Sequence, residues 1–331
     1  MIEKLPLLFP GISLRPALAC EISPYGVLAA RRDTAGELLT QFLPLQSGSL
    51  QPGLKSPNLL DRPAIVMAMK QALTSVAERG RPIPGGRGRE LRANRALTVI
   101  VPDACVRVLL LDFDALPSKH AEALLILRFR LRKLVPFETE DAAISWQVMS
   151  PGAEGIRVLV IVMPHDVLLE FESAIREAGF VPGVVLPSTV AAMPLVGLEA
   201  ALLVNHNGNS LTTTIVRGQD LLLHRSLDFS GNEEALPDAP PRLPRSAESR
   251  EREEQEDIRQ SVSVALAYYE DTLRTPAEQL FYIGAASPRE FQELLGEPLI
   301  AVRDLGSAPE LPSRTVPRSL LAPVTGALLN A

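Results

Sequence analysis

At 331 residues the chain is long enough to bury a core and, on ordinary domain sizes, to form about two domains. Its 46% hydrophobic and 22% charged residues are globular proportions, and with only 5% aromatics the apolar content falls to Leu, Ala and Val, which favours aliphatic sheet-on-helix packing over an aromatic ligand site. A net charge of -6 argues against nucleic acid as a partner, because phosphate neutralisation needs a basic face.

The stretch Met1 to Pro10 is interrupted by Pro6 and Pro10 and lacks the basic start and long apolar run of a signal peptide. No stretch approaches the ~20 uninterrupted apolar residues of a membrane span. A cytoplasmic location is expected, with peripheral membrane association only through a partner. Three β-type runs follow, Ala17 to Ile22, Gly26 to Arg31 and Glu37 to Leu45, with turn chemistry at Asp33 to Gly36. A Pro/Ser/Gly-rich stretch, Gln46 to Asp61, leads to a helix over Pro63 to Ala77, where Ile65, Met69, Ala72 and Val76 keep helical spacing. Arg79 to Arg95 is Arg-rich and contains Gly85, Gly86 and Gly88. It reads as a solvated loop, or as a contact with an anionic surface. Strand-like runs return at Ala96 to Val101 and Arg107 to Phe113.

The second half repeats this grammar. Ala200 to Asn205, Ser210 to Val216 and Asp220 to Leu227 are β-type runs, followed by a helix presenting Ile258, Val262, Ala265, Tyr269 and Leu273, then a strand at Gln279 to Ile283. Twice, a strand meander precedes a helix and a further strand, which predicts a duplicated α/β fold with a cleft between halves. Between them, Asp114 to Gly179 reads as an inserted α+β subdomain. It opens with a helix capped at Ser118 and striped by Leu124, Leu127, Leu131 and Leu134, and its second helix ends at Gly179. The expected organisation is residues 1–113, 114–179 and 180–331. Ser230 to Asp257, rich in Pro, Glu and Arg, is expected to be a disordered insert in the last unit, and Leu311 to Val316 a loop.

Standard catalytic signatures are absent: there is no GxxxxGK[ST], HExxH, CxxC or GxSxG. The histidines, His120, His165, His206 and His224, are scattered singly, and no metal site is expected. Cys20 and Cys105 lie in apolar runs and read as small buried hydrophobes.

One segment carries a family resemblance. Arg128-Phe129-Arg130-Leu131-Arg132-Lys133-Leu134-Val135-Pro136-Phe137, leading into Glu140 and the strand Ala142 to Val148 with Trp146, resembles the PilM segment in which a helix ends at an apolar-Pro-Phe turn before an acidic step and a strand. Val158 to Met163, Ala178-Gly179-Phe180, Val185 to Ser188, Ala200 to Val204 and Leu223 to Ser226 continue in the family's order. The match runs through most of the chain and is specific mainly from Ala123 to Pro187.

The resemblance implies a duplicated actin-like (ribonuclease H-like) fold with the insert, and a cytoplasmic scaffold of type IV pilus assembly at the inner face of the inner membrane. It also implies binding to a short cytoplasmic segment of a PilN-like inner-membrane protein, with homo-oligomers as a further expectation. Arg128, Arg132, Phe137 and Trp146 are the partner-binding candidates. In actin-like proteins an acid and small residues of the first hairpin approach the phosphates and metal. Here that place holds Glu21 and Ser23, followed by Pro24, which has no N–H, and bulky Tyr25. The second phosphate loop corresponds to Asn207, Gly208, Asn209 and Ser210, preceded by Asn205 where the family has Asp. The adenosine-side loop keeps one glycine, Gly284. Two readings stand: turn positions left by a shared fold, or an altered pocket for ATP with magnesium that gates partner binding. A type II secretion platform component is a further alternative, and a sugar-kinase-like enzyme is more distant because no catalytic base can be placed.

Overall fold

The computed structural model describes residues 16–33, 36–79, 95–152, 155–218, 220–229, 247–296, 300–305 and 318–329. The first sheet begins with the antiparallel meander β1 (Leu18–Ser23), β2 (Gly26–Arg32) and β3 (Leu38–Pro44). Helix α1 (Arg62–Arg79), with Pro63 in its first turn, crosses over to β4 (Ala96–Val101), which runs parallel to β1. β1 is buried along its whole length because both faces of the sheet are covered. Cys20, Ile22, Val27, Ala29 and Val99 meet the α1 stripe of Ile65, Met69, Ala72 and Val76. The alternate residues Ala19, Leu28, Ala30 and Ile100 meet Leu320, Leu321 and Val324 near the C-terminus. Both buried cysteines are free, as their apolar runs predict.

The second sheet repeats the plan. β9 (Ala200–Asn207), β10 (Ser210–Arg217) and β11 (Asp220–Asp228) form the meander. The long helix (Ala247–Leu273) returns to β12 (Gln279–Gly284), parallel to β9, and β13 (Ala301–Asp304) joins its far side. The strand orders, β3-β2-β1-β4-β8 (β8 being Val181–Pro187) and β11-β10-β9-β12-β13, are the same order twice. Ile258, Val262, Ala265 and Tyr269 seat the long helix on Leu202, Val204, Leu211, Ile215 and Leu280. Ile258 and Val262, almost fully buried, contribute about 1.5–3 kcal/mol each, so this half docks the element.

The insert is a three-stranded antiparallel sheet, β5-β7-β6. It comprises β5 (Arg107–Phe113), helix α2 (His120–Leu131), β6 (Ala143–Gly152), β7 (Gly155–Met163) and helix α3 (His165–Glu177). Leu127 and Leu131 of α2 pack on Val158, Val160 and Val162. Phe171 and Ile175 of α3 instead join the core shared with α1. After α3 the chain re-enters the first sheet as β8 (Val181–Pro187), then forms the short helix α4 (Ser188–Ala192) that leads into the second half.

Several expectations are corrected. The expected boundaries at 113/114 and 179/180 do not follow the sheets. β5 pairs with β7 from Arg107↔Val162 to Phe113↔Ile156, and so belongs to the insert. β8 belongs to the first half, as does the C-terminal helix α7 (Ala322–Ala327). Long-range pairing decides this, and local patterning does not record it. Helix α2 starts after Lys119, not Ser118, and stops at Leu131, leaving Leu134 48% exposed and outside the stripe. Of the expected disordered insert, residues 247–257 are the first turns of the long helix, here α5. Glu, Arg and Gln depress hydrophobicity yet are good helix formers, and a helix nucleated on the apolar half extends at one hydrogen bond per residue. Residues 230–246, the glycines 85, 86 and 88, and the loop 311–316 lie outside the described residues.

Candidate functional site

The two halves meet where their first hairpins touch. The β1–β2 turn carries Ser23, Pro24 and Tyr25, and the β9–β10 turn carries Gly208 and Asn209. Ser23 Oγ donates to the Gly26 carbonyl at 3.1 Å, and Ser210 Oγ to the Asn207 carbonyl at 3.0 Å, so both hydroxyls are spent within their own turns. The Tyr25 hydroxyl accepts from the Gly208 N–H at 3.0 Å and donates to the His206 carbonyl at 3.5 Å. Gly208 has φ +63°, and a Cβ there would lie 2.9 Å from Pro24 Cγ, so this turn requires glycine twice over. Burial raises the Tyr25 pKa against the lowering effect of the Gly208 bond, keeping the phenol neutral.

Behind the hairpins lies a buried polar network. Asn205 Nδ2, at the end of β9, donates towards Asp103 Oδ2 at 3.1 Å, Ser188 Oγ at 3.1 Å and Thr189 Oγ1 at 3.0 Å, two hydrogens shared among three acceptors. Asp103, in the 3-10 turn after β4, accepts the Thr189 N–H at 3.1 Å and a short bond from the Thr189 hydroxyl. Ser188 Oγ donates to Glu21 Oε1 at 2.8 Å. Glu21 is only 4% exposed. Burial pushes its pKa up to about 8, the Ser188 bond opposing and the Asp103 charge reinforcing, so at neutral pH it is mostly protonated. Four elements, β1, the 3-10 turn, α4 and β9, are thereby joined through groups that would be costly to leave unpaired.

The third loop is filled as well. Ser319 Oγ donates to the carbonyls of Gly284 and Ala286 at 2.8 and 3.2 Å, and a Cβ on Gly284 would collide with the Tyr282 hydroxyl and the His206 carbonyl. Ser287 caps helix α6 (Pro288–Leu295) in a reciprocal box with Glu290. Beside the hairpins is a cavity of about 490 Å³ bounded by Pro24, Tyr25, Leu50, Leu60, Asn207 and Ser210; among the described residues Asp228 is the one charged residue lining it, and no Lys or Arg does. Asn207 Oδ1 is buried without a partner.

The structure places the partner-binding candidates within the insert's own fabric. Phe137 and Trp146 pack against its core, and Trp146 stacks on His120 with centroids 4.3 Å apart. Arg132 forms an ion pair with Glu140, and the Arg128 carbonyl accepts from Thr139 Oγ1 at 3.5 Å. On helix α2 the large apolar residues that face outward are Leu125, Ile126 and Phe129, at 66%, 40% and 68% exposure. Ile126 and Phe129 border a groove of about 880 Å³ between the insert and the β10–β11 hairpin.

No family model and no curated protein matches this chain. Among solved structures, a chain of a PilM–PilN type IV pilus biogenesis complex matches with a TM-score of 0.66 at 17% identity, covering 95% of this chain and 98% of that one. This chain has the actin-like fold of PilM. The cytoplasmic domain of EpsL, an inner-membrane component of the Vibrio cholerae type II secretion system, matches at TM-score 0.40 and 12% identity, over 70% of this chain and 85% of that one. A Bacteroides thetaiotaomicron protein with an actin-like ATPase fold matches at 0.44 and 9%, over 93% and 95%.

The actin-like fold implies a magnesium nucleotide between the hairpins, and the residues present do not fit one. The Gly208 N–H that would meet a phosphate is held by Tyr25, and Pro24 offers no N–H. Glu21 faces Ser188 and is mostly neutral, and Asn205 is committed to Asp103. Among the described residues the cavity presents an acid, Asp228, and no cation to a polyanion. Among the described residues no group of three or more His, Cys, Asp or Glu could hold a metal. Of the nucleotide candidates, Ser23, Asn207, Gly208, Asn209 and Ser210 do converge. Glu21 lies in the buried network behind them, and Gly284 sits against the His206 carbonyl. Sequence reasoning missed Asp103, Ser188, Thr189 and Ser319, which nothing local connects. Tyr25 was visible as a bulky turn residue, but not its reach to Gly208.

Proposed function

We propose that this chain is a non-catalytic scaffold of type IV pilus assembly, working at the cytoplasmic face of the inner membrane and binding a cytoplasmic segment of a PilN-like protein. The likeness to a PilM chain of a PilM–PilN complex along 95% of the sequence carries the reading. The cleft supports the non-catalytic part, since Glu21, Asn205 and the Gly208 N–H are each engaged by another group of the protein, although Asn207 Oδ1 is left without a partner. No helix of the described residues is long and apolar enough to cross a membrane, so attachment through a membrane-anchored partner agrees with the sequence.

The insert is the proposed recognition unit. Its outward Leu125, Ile126 and Phe129 sit among Arg130 and Lys133, which suits an apolar segment flanked by acidic residues. Arg128, Phe137 and Trp146, all half-buried, then support that surface, and Arg132, exposed and paired with Glu140, borders it. The test is fluorescence anisotropy with the labelled cytoplasmic segment of the PilN-like protein from the same source. Saturable binding, weakened at least tenfold in Phe129→Ser, is expected. No saturable binding by the folded protein would remove the proposal.

A further inference from the structure

We infer that Tyr25 is a built-in latch: its phenol stands where a ligand would bridge the two hairpins, and it keeps the mouth of the cleft closed without nucleotide. The inference does not depend on which partner the scaffold binds.

Three observations carry it. The phenol reaches from the first half to both the Gly208 N–H and the His206 carbonyl of the second, so one side chain engages a donor and an acceptor of the opposite hairpin. Its own turn is clamped: the Tyr25 carbonyl accepts the Leu45 N–H at 3.2 Å, and Gly26 packs so tightly against Phe42 and the Leu43 carbonyl that a Cβ there has no room. Pro24, with its fixed φ, packs directly on Gly208. The opposite turn is equally fixed, by the φ of Gly208 and by the Phe229 N–H donating to the Asn209 carbonyl at 2.6 Å.

A ligand closes a two-domain cleft only through interactions it makes better in the closed state. Here the bridging group is covalently tethered to one wall, so it competes with any free ligand at an effective concentration in the millimolar range. A polyphosphate would have to break the Tyr25–Gly208 bond and displace Pro24, and would then meet Asp228 with no Lys or Arg among the described residues lining the cavity. The second contact layer, Asn205 with Asp103, Ser188 and Thr189, stays in place behind the latch. Release of Tyr25 therefore loosens the mouth without separating the halves.

The experiment measures the mouth directly. Spin labels at Gln46→Cys and Arg225→Cys, both exposed positions on opposite sides of it, report the distance between halves, while the buried Cys20 and Cys105 stay unlabelled. The expected result is one narrow distance, unchanged by millimolar magnesium-ATP. Tyr25→Ala should broaden it toward longer distances. Tyr25→Phe, which keeps the ring and tests the hydroxyl alone, should speed exchange of the Gly208 amide about two- to tenfold. A distance that shifts with magnesium-ATP in the unaltered protein would overturn the latch. So would unchanged Gly208 exchange in Tyr25→Phe, whatever the alanine variant does.

Discussion

Ser188 Oγ donates to Glu21 Oε1 at 2.8 Å, a bond that a protonated or an ionised carboxyl accepts equally in geometry but not in cost. Burial and the Asp103 charge raise the Glu21 pKa from 4.5 to about 8. A raised acid pKa means that the folded state holds its proton when the unfolded chain has released it. Stability therefore falls as pH rises from about 4.5 to about 8 and levels off above, with a slope of up to ~1.4 kcal/mol per pH unit from this one group. Glu21→Gln keeps the acceptor for Ser188 and removes the titration. Thermal midpoints from pH 5 to 8.5 should fall more steeply in the unaltered protein than in the variant, which should be the more stable of the two at pH 8. Parallel profiles would show that Glu21 ionises normally.

Asn205→Asp reverses one interaction without changing shape. The amide hydrogen now directed at Asp103 Oδ2 at 3.1 Å becomes a second carboxylate oxygen in a buried site. Stability should fall by about 3–5 kcal/mol, the usual scale for an uncompensated buried charge. Millimolar magnesium should not restore it, because Glu21 is turned to Ser188 and the described residues offer no group of acids that could hold the metal. Urea unfolding with and without magnesium measures both, and rescue by the metal would restore a cation site to the cleft.

Glu170 of α3 stitches the insert to the first half. Its carboxylate accepts the Asn58 and Leu59 N–H groups at 2.9 and 2.8 Å and the Ser56 hydroxyl at 3.1 Å. Asn58, fully buried, in turn accepts the Gly53 N–H and, through its carbonyl, the Gln51 N–H. Glu170→Ala leaves two backbone amides without their acceptor and should cost about 2–4 kcal/mol in urea unfolding. Amide exchange of residues 51–59 should accelerate first, because the loop depends on this one side chain. Unchanged exchange there would mean that the loop holds itself.

Most of the strands were legible because short β-type runs bounded by turn residues state themselves locally, as Gly26 to Arg31 and Ser210 to Val216 do; β8 and β13 were not read as strands. The repeated grammar of the halves was legible for the same reason, and the two sheets have the same order. Sheet membership was not, since β5 and β8 differ in their partners rather than in their residues. The charged turns of α5 were misread because composition alone does not separate a solvated helix from a disordered chain. In the cleft, the hairpin residues could be named, but their closure rests on contacts such as Tyr25 with Gly208, 183 positions apart.

Two phenylalanines of the insert separate support from surface. Phe137 is half-buried against the core with Leu127 and Leu131, whereas Phe129, on the helix before it, is 68% exposed. Phe137→Ala removes packing and should cost about 2 kcal/mol, part of the 3–5 typical of a fully buried ring. Phe129→Ser exposes nothing that was covered and should change stability by no more than about 0.5 kcal/mol. Binding of the PilN-like segment should respond in the opposite order, strongly to Phe129→Ser and only weakly to Phe137→Ala at temperatures where both variants stay folded. Paired urea titrations and anisotropy curves measure this. If Phe137→Ala weakened binding more than Phe129→Ser at full folding, the turn itself would be the contact and the outward face of α2 would not.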